Sequence, residues 1–189
     1  MIVTDDAALD AARSSGKIGY PGTAKDASSA SPGQGMETMR KFMVVIDETP
    51  ECQKAMRFAA RRARNTGGRV LMVYVIPPEE FQHWIGVAEV MRAEAREAAE
   101  ARLSELADGL TALSGLTPEF SIRVGALADE VMAAIEEDPE IGVLVLGAGD
   151  EDGPGPLVSQ LVAKQGHRMR VPVTVVPGGL SPERIDAIT

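Results

Sequence analysis

Phe42-Met43-Val44-Val45-Ile46, closed by Asp47, carries the strongest structural signal in this 189-residue chain. Five consecutive apolar residues predict a strand that is buried on both faces, as strands of parallel sheets are. Thr49 and Pro50 follow, and they suit the N-cap and the first position of a helix. A buried strand that leads at once into a helix indicates the βα unit of an α/β fold.

The same alternation continues toward the C-terminus. Four more apolar segments are predicted strands, at residues 70–76, 119–124, 142–146 and 171–176. Amphipathic segments between them are predicted helices, at residues 50–65 and 87–113, around residue 131, and after residue 155. Repeated βαβ units predict one doubly wound, five-stranded parallel sheet.

The segments that flank this pattern differ from it in composition. Residues 14–35 are rich in Ser, Gly, Ala and Pro and show no apolar periodicity. Such a segment buries too little apolar surface to offset the entropy of ordering it, so residues 1–40 are expected to form a disordered N-terminal arm. The folded domain is then expected over residues 41–177, followed by a C-terminal tail over residues 178–189.

Charge and composition argue against several classes of function. The formal net charge is −9, whereas a nucleic-acid binder needs a basic face, so no nucleic acid is expected as a partner. The densest basic cluster lies on the first predicted helix and reads either as a solvated face or as a docking surface; it comprises Lys54, Arg57, Arg61, Arg62 and Arg64. No apolar run approaches the roughly 20 residues that span a bilayer, so we expect a cytoplasmic protein without membrane contact.

The ends of the predicted strands resemble those of the universal stress protein family. The matching features occur in order: Val-Val-Ile-Asp at 44–47 with Thr49 beyond it, Val-Tyr-Val-Ile-Pro at 73–77, Arg-Val-Gly at 123–125, Leu-Val-Leu-Gly at 144–147 and Pro-Val-Thr-Val-Val at 172–176. The resemblance covers residues 41–177. It implies an adenine nucleotide alpha hydrolase-like three-layer sandwich with strand order 3-2-1-4-5, and a homodimer.

In that strand order the last strand lies at an edge of the sheet. The segment from Val171 to Val176 is short, apolar and uncharged, and an exposed edge of this kind is normally covered. Antiparallel pairing with the same strand of a second copy would cover it and close a twofold dimer. The alternative is that the tail at 178–189 folds back over the edge.

The resemblance also implies a nucleotide site at the carboxyl ends of strands 1 and 4, where doubly wound sheets bind ligands. Nucleotide-binding members place an adenine-contacting aspartate after strand 1 and a glycine-rich phosphate loop after strand 4. The corresponding candidate residues for ATP or AMP are Asp47, Thr49, Val75, Gly125, Gly147, Gly149, Gly153, Gly155 and Ser159.

The phosphate loop departs from the family pattern of Gly, two residues, Gly, nine residues and a Gly-Ser/Thr pair. Asp150 stands in place of the second glycine, and Ser159 replaces the glycine of the pair. The loop Asp-Glu-Asp-Gly-Pro-Gly-Pro at 150–156 brings three carboxylates toward the phosphates and lacks two N–H donors. A like-charge contact at ~4 Å costs up to ~4 kcal/mol at an effective dielectric of ~20, against ~1 kcal/mol gained at a helix terminus.

Two functions therefore remain in view. The first is a non-catalytic stress-response module that binds an unknown protein partner and has weak or no affinity for nucleotides. The alternative is an ATP- or AMP-binding sensor or slow ATPase. In it, either a Mg²⁺ held by Asp150 or Asp152 relieves the repulsion, or the glycine-rich loop forms a nest in which Gly153 and Gly155 are the donors.

Enzyme and metal functions find little support. A receiver domain needs an acceptor aspartate after strand 3 and a lysine after strand 5, where this chain has Gly125 and Pro177. No Gly-x-Ser-x-Gly sequence surrounds Ser159, and the two histidines lack thiolate partners for zinc. The single cysteine, Cys52, falls on the predicted core face and is expected to be buried and inert. The aromatic group at 81–84 is expected to form a lid over the sheet edge, the start of the second helix, or a contact for a partner or ligand.

Overall fold

A computed structural model describes residues 40–78, 88–149 and 153–189. Three predicted features lie outside the described residues: the N-terminal arm up to residue 39, the aromatic group at 81–84, and the acidic loop residues 150–152 with the proposed Mg²⁺ ligands. Within the described helices, none combines the length and the apolar character that crossing a membrane requires.

One all-parallel sheet of five strands forms the centre, in the order β3-β2-β1-β4-β5. The strands are β1 (Lys41–Ile46), β2 (Arg69–Ile76), β3 (Glu119–Val124), β4 (Ile141–Ala148) and β5 (Val173–Pro177). The predicted sheet and its order are therefore confirmed.

Two strand boundaries differ from the prediction by two residues. β4 continues through Gly147 and Ala148, because both residues pair with the end of β5 and the Gly178 N–H donates to the Ala148 carbonyl at 2.7 Å. β5 begins at Val173 rather than Val171. Pro172 lacks an N–H and takes part only through its carbonyl, which accepts from the Leu144 N–H at 3.0 Å.

The helices cover both faces of the sheet. They are α1 (Pro50–Thr66), α2 (Ala88–Ser114), α3 (Leu127–Glu137), the short turn α4 (Gly155–Leu157) and the C-terminal α5 (Pro182–Ile188). The prediction of one regular last helix is wrong, because α4 passes into a π-helical segment, Val158–Lys164, and a 3₁₀ turn, Gly166–Arg168. Gly155, the first residue of α4, has a φ of +79°, in the left-handed region, so the first turn of this segment departs from regular helical geometry.

All six residues of β1 are buried. Phe42, Val44 and Ile46 pack with α1, α2 and α5 on one face of the sheet, whereas Met43 and Val45 pack with α3 and the segment after β4 on the other. Because side chains alternate along a strand, this double burial requires helices on both faces. Asp47 is the first residue after β1 and leaves the core at its carboxyl end.

The C-terminal tail packs on α1. Ile185 is fully buried, and both oxygens of Asp186 accept hydrogen bonds from Arg57 and Arg61 at 2.5–3.1 Å. Arg62 donates to the carbonyl of Thr189. Three members of the basic cluster on α1 thus bind the tail of the same chain. For these three residues, neither the predicted solvated face nor the predicted docking surface is correct.

A buried ammonium group ties the amino ends of the strands together. Lys41 is 7% exposed, and its Nζ lies 2.8 Å from Glu119, 2.8 Å from Asp138 and 3.1 Å from Glu140. Burial alone would raise the pKa of Asp138, but the hydrogen bonds from Lys41 and the Glu140 N–H outweigh it and hold that pKa below its ordinary value. This carboxyl therefore stabilises the fold at neutral pH, and the contribution is lost as the pH falls through the lowered pKa.

We predict that Lys41→Met lowers the free energy of unfolding by about 2 kcal/mol at pH 7, because three partly exposed carboxylates lose their shared cation. Urea denaturation measures the difference in the free energy of unfolding between the wild type and the variant. This difference should become smaller below pH 3.8, the ordinary pKa of Asp138. Arg96→Met is the matched control, since Arg96 pairs with Glu100 on an exposed helix face and should change stability by less than about 0.5 kcal/mol. Equal effects of the two substitutions would contradict this account.

Candidate functional site

A crevice of about 500 Å³ opens at the carboxyl ends of β1 and β4. It is the position at which doubly wound sheets place ligands, because the chain leaves neighbouring strands there in opposite directions. The residues that line it are Asp47, Thr49, Glu51, Gly147, Gly149, Gly153, Pro154, Gly155, Pro156 and Leu157. Six of the nine residues proposed from the sequence thus meet in one crevice.

Asp47 and Thr49 form a hydrogen-bonded turn at the entrance to α1. Oδ1 of Asp47 accepts from the Thr49 N–H at 3.0 Å and from the Thr49 hydroxyl at 2.6 Å. Thr49 occupies the N-cap position, but its side chain makes no capping hydrogen bond. The predicted capping role is therefore wrong, since the hydroxyl donates to Asp47 and so fixes the carboxylate at the edge of the crevice.

Gly147 is required by packing. A Cβ added there would lie 2.7 Å from both the carbonyl carbon and the carbonyl oxygen of Glu51, which are backbone atoms in the first turn of α1. Real Cβ atoms do not approach backbone that closely, so only glycine lets the end of β4 pass α1. The need for glycine at 147 therefore has a structural cause that is independent of any phosphate.

Hydrogen-bond acceptors surround the next glycine of the loop. A Cβ built on Gly149 would lie 2.8 Å from the Gly153 carbonyl oxygen and 3.6 Å from Oε1 of Glu51. A phosphate needs donors at this position, because its oxygens are themselves acceptors and are negatively charged. Among the described lining residues there is no lysine, arginine or histidine, whereas Asp47 and Glu51 both contribute carboxylates.

The structure brings the remaining three predicted residues to other places. Val75 lies one residue beyond the register pair Ile46–Tyr74, at the same edge of the sheet, and its side chain packs into the core on the α3 face. The Gly125 N–H donates to the Ile76 carbonyl at 3.1 Å, which joins the end of β3 to β2. Ser159 is exposed on the π-helical segment and does not line the crevice.

Glu51 is the site residue that the sequence reasoning missed. It follows Pro50 in the first turn of α1, where an acidic residue is favoured by the helix dipole and therefore attracts no attention. The spacing in the sequence nevertheless indicated where Glu51 would lie. A residue two positions after the N-cap Thr49 lies in the first turn of α1, close to the end of the strand that Asp47 follows.

Cys52, the neighbour of Glu51, is buried and lies behind the crevice wall. Burial raises the pKa of its thiol to about 11, and Sγ lies 3.9 Å from the Val45 carbonyl oxygen. The thiolate is the reactive form, so this thiol is unreactive near neutral pH. The predicted burial on the core face of α1 is confirmed.

Metal binding finds no further support in this region. Among residues 40–78, 88–149 and 153–189, no three His, Cys, Asp or Glu side chains are grouped so that they could hold a metal ion.

Comparison with known proteins assigns this architecture to a family. The model of the universal stress protein family matches residues 38–177. By sequence, no curated protein matches the chain.

Solved structures share the fold at low sequence identity. Universal stress protein UspA from Lactobacillus plantarum is 20% identical, with a TM-score of 0.59 over 73% of this chain and 97% of that one. A universal stress protein from Archaeoglobus fulgidus in complex with dAMP is 19% identical, with a TM-score of 0.52 over 72% and 96%. A universal stress protein in complex with cAMP is 16% identical, with a TM-score of 0.50 over 74% and 98%.

We predict that Gly147→Ala destabilises the protein by about 1–3 kcal/mol, because its methyl group would overlap the backbone of Glu51. Gly166→Ala is the matched control, since a Cβ at Gly166 meets nothing within 4 Å. Urea denaturation of both variants measures the difference. If Gly147→Ala were as stable as the wild type, the close approach of β4 to α1 would be refuted.

Proposed function

This chain belongs to the universal stress protein family, and from that premise we propose that it is a cytoplasmic, homodimeric, non-catalytic binding module with weak or no affinity for nucleoside triphosphates. The observation that carries the proposal is the crevice at β1 and β4, whose described lining includes the carboxylates of Asp47 and Glu51 but no lysine, arginine or histidine. The partner of this module would then be a protein that binds to another part of its surface.

Electrostatic repulsion supports the proposed weak affinity for a free triphosphate. A phosphate about 6 Å from the Glu51 carboxylate is repelled by about 3 kcal/mol at an effective dielectric of ~20, before screening by salt. The loop sequence adds three more acidic residues, Asp150, Glu151 and Asp152, whose negative charge also opposes a phosphate. A helix N-terminus contributes about 1 kcal/mol at most sites, and Pro154 and Pro156 remove two of the N–H groups that would deliver it.

The lining of the crevice also supports the proposed non-catalytic role. None of the described crevice residues is a His, Lys or Cys, the side chains that most often act as bases or nucleophiles near neutral pH. Asp47 could orient a group but is held by Thr49 in a turn. The crevice therefore suits binding better than hydrolysis.

A second candidate function is a mononucleotide sensor. The Asp47 carboxylate and the Val75 backbone lie at the same sheet edge, where the family resemblance expects adenine, and the crevice volume suits a small ligand. Two structures of similar fold hold dAMP and cAMP, ligands with fewer charges than ATP. Fewer charges lessen the repulsion from Glu51, so a mononucleotide is the nucleotide that this crevice tolerates best.

We predict that ATP without Mg²⁺ binds the wild-type protein with a dissociation constant weaker than ~1 mM, and that AMP and cAMP bind more tightly than ATP. Removing one carboxylate by Glu51→Gln should tighten ATP binding about fivefold or more. Glu48→Gln is the matched control, because Glu48 is exposed nearby but does not line the crevice. Calorimetric titration measures the ATP dissociation constants of the wild type and of the two variants. Tight ATP binding by the wild type would disprove the proposal.

The homodimer is proposed from the edge of the sheet. β5 pairs with β4 on one side only within the described sheet, and it carries no charged residue. Val175 is 36% exposed on this strand. Since the tail packs on α1 through Ile185 and Asp186, antiparallel pairing with β5 of a second copy is the closure that we favour.

We predict a species of about 40 kDa, twice the 20.0 kDa chain, in sedimentation velocity at micromolar concentration. Val175→Lys should shift it to the monomer, because a lysine on an edge strand opposes pairing. Val90→Lys is the control, since Val90 is 57% exposed on α2, away from β5. A wild-type monomer, or equal effects of both substitutions, would exclude this interface.

A further inference from the structure

A second and larger concavity lies on the opposite side of α1 from β4. It is a groove of about 660 Å³ between α1, α2 and α5. Neither the crevice residues nor β5 line it. A ligand there would be independent of the function proposed for the crevice.

The groove has an apolar floor. Met56, Leu110 and Ile185 are buried at its base, while Leu106 and Leu113 are half-buried along its wall. Leu106, Leu110 and Leu113 follow i, i+4, i+7 spacing and so form one continuous stripe of α2. Small-molecule sites typically have this volume and this mostly apolar lining.

A glycine keeps the groove open in the middle of α2. Gly109 lines it, and a Cβ placed on Gly109 would meet nothing within 4 Å. Glycine inside a helix costs about 1 kcal/mol relative to alanine, and no close contact demands it here. The empty space above Gly109 is therefore unused by the protein's own packing.

The rim of the groove is positive in a chain whose net charge is −9. Arg102 is neutralised by Glu105 at 2.8 Å, and Arg57 and Arg61 share the single carboxylate of Asp186. Lys54 lines the groove and makes no ion pair or hydrogen bond with a described residue. Arg57 is also stabilised electrostatically by the Glu183 carboxylate, so the positive charge that remains beside the apolar surface is that of Lys54.

We propose that this groove binds a small amphiphilic anion, a single aliphatic chain with one carboxylate. The apolar stripe of α2 holds the chain, and Lys54 pairs with the carboxylate at the rim. From Arg102 to Leu113 the helix rises about 16 Å, which an extended chain of roughly twelve carbons spans. The affinity combines burial of the chain with one charge-assisted contact.

Calorimetric titration of the full chain with dodecanoate, below its micelle concentration, tests the proposal. We expect one saturable site per chain. Dodecyltrimethylammonium, with the same chain and the opposite charge, should bind at least tenfold more weakly, although the net negative charge of the protein favours it. Absence of a saturable dodecanoate site, or equal binding of both amphiphiles, would overturn the proposal.

Two variants locate the site. Gly109→Leu puts a side chain at the groove, where the added Cβ meets nothing within 4 Å, and should weaken dodecanoate binding at least tenfold. Thermal unfolding verifies that the variant is folded. Lys54→Glu should weaken dodecanoate binding at least fivefold. Ala112→Leu, on an exposed position of α2, and Lys164→Glu, an exposed lysine beyond the groove, are the matched controls and should leave binding unchanged. Full binding by Gly109→Leu would exclude this groove as the site.

Discussion

Every residue of β1 is buried, and this double burial constrains the rest of the molecule. A strand whose two faces are both apolar must be covered by helices on both sides, and parallel neighbours must then be joined by crossovers. The same constraint brings the carboxyl ends of β1 and β4 side by side. The crevice is a consequence of that topology, whatever its present chemistry.

The chemistry of the crevice depends on how α1 packs. Its small inward residues, chiefly alanines, let the helix lie close to the sheet, and Gly147 lets the end of β4 pass its first turn. The close approach places Glu51 in the lining of the crevice. The crevice of this fold thus has two carboxylates in its lining, which oppose the binding of an anionic ligand although the cavity persists.

Much of the fold could be predicted, because period and strand ends are local properties of the sequence. β3 and α1 fall where the apolar pattern places them, and the strand order follows from the family resemblance. The role of Glu51 could not be predicted, since its position in the crevice depends on the packing of α1 against β4. The bonds from Arg57 to Asp186, 129 residues apart, and the π-helical segment likewise depend on tertiary contacts that residue spacing does not encode.

The central claim is that acceptors and carboxylates at the ends of β1 and β4 exclude nucleoside triphosphates. Its most direct test is to denature the freshly purified protein and quantify the released nucleotides by mass spectrometry. The account predicts far less than one ATP per chain. Stoichiometric ATP, retained through purification in the absence of Mg²⁺, would contradict it.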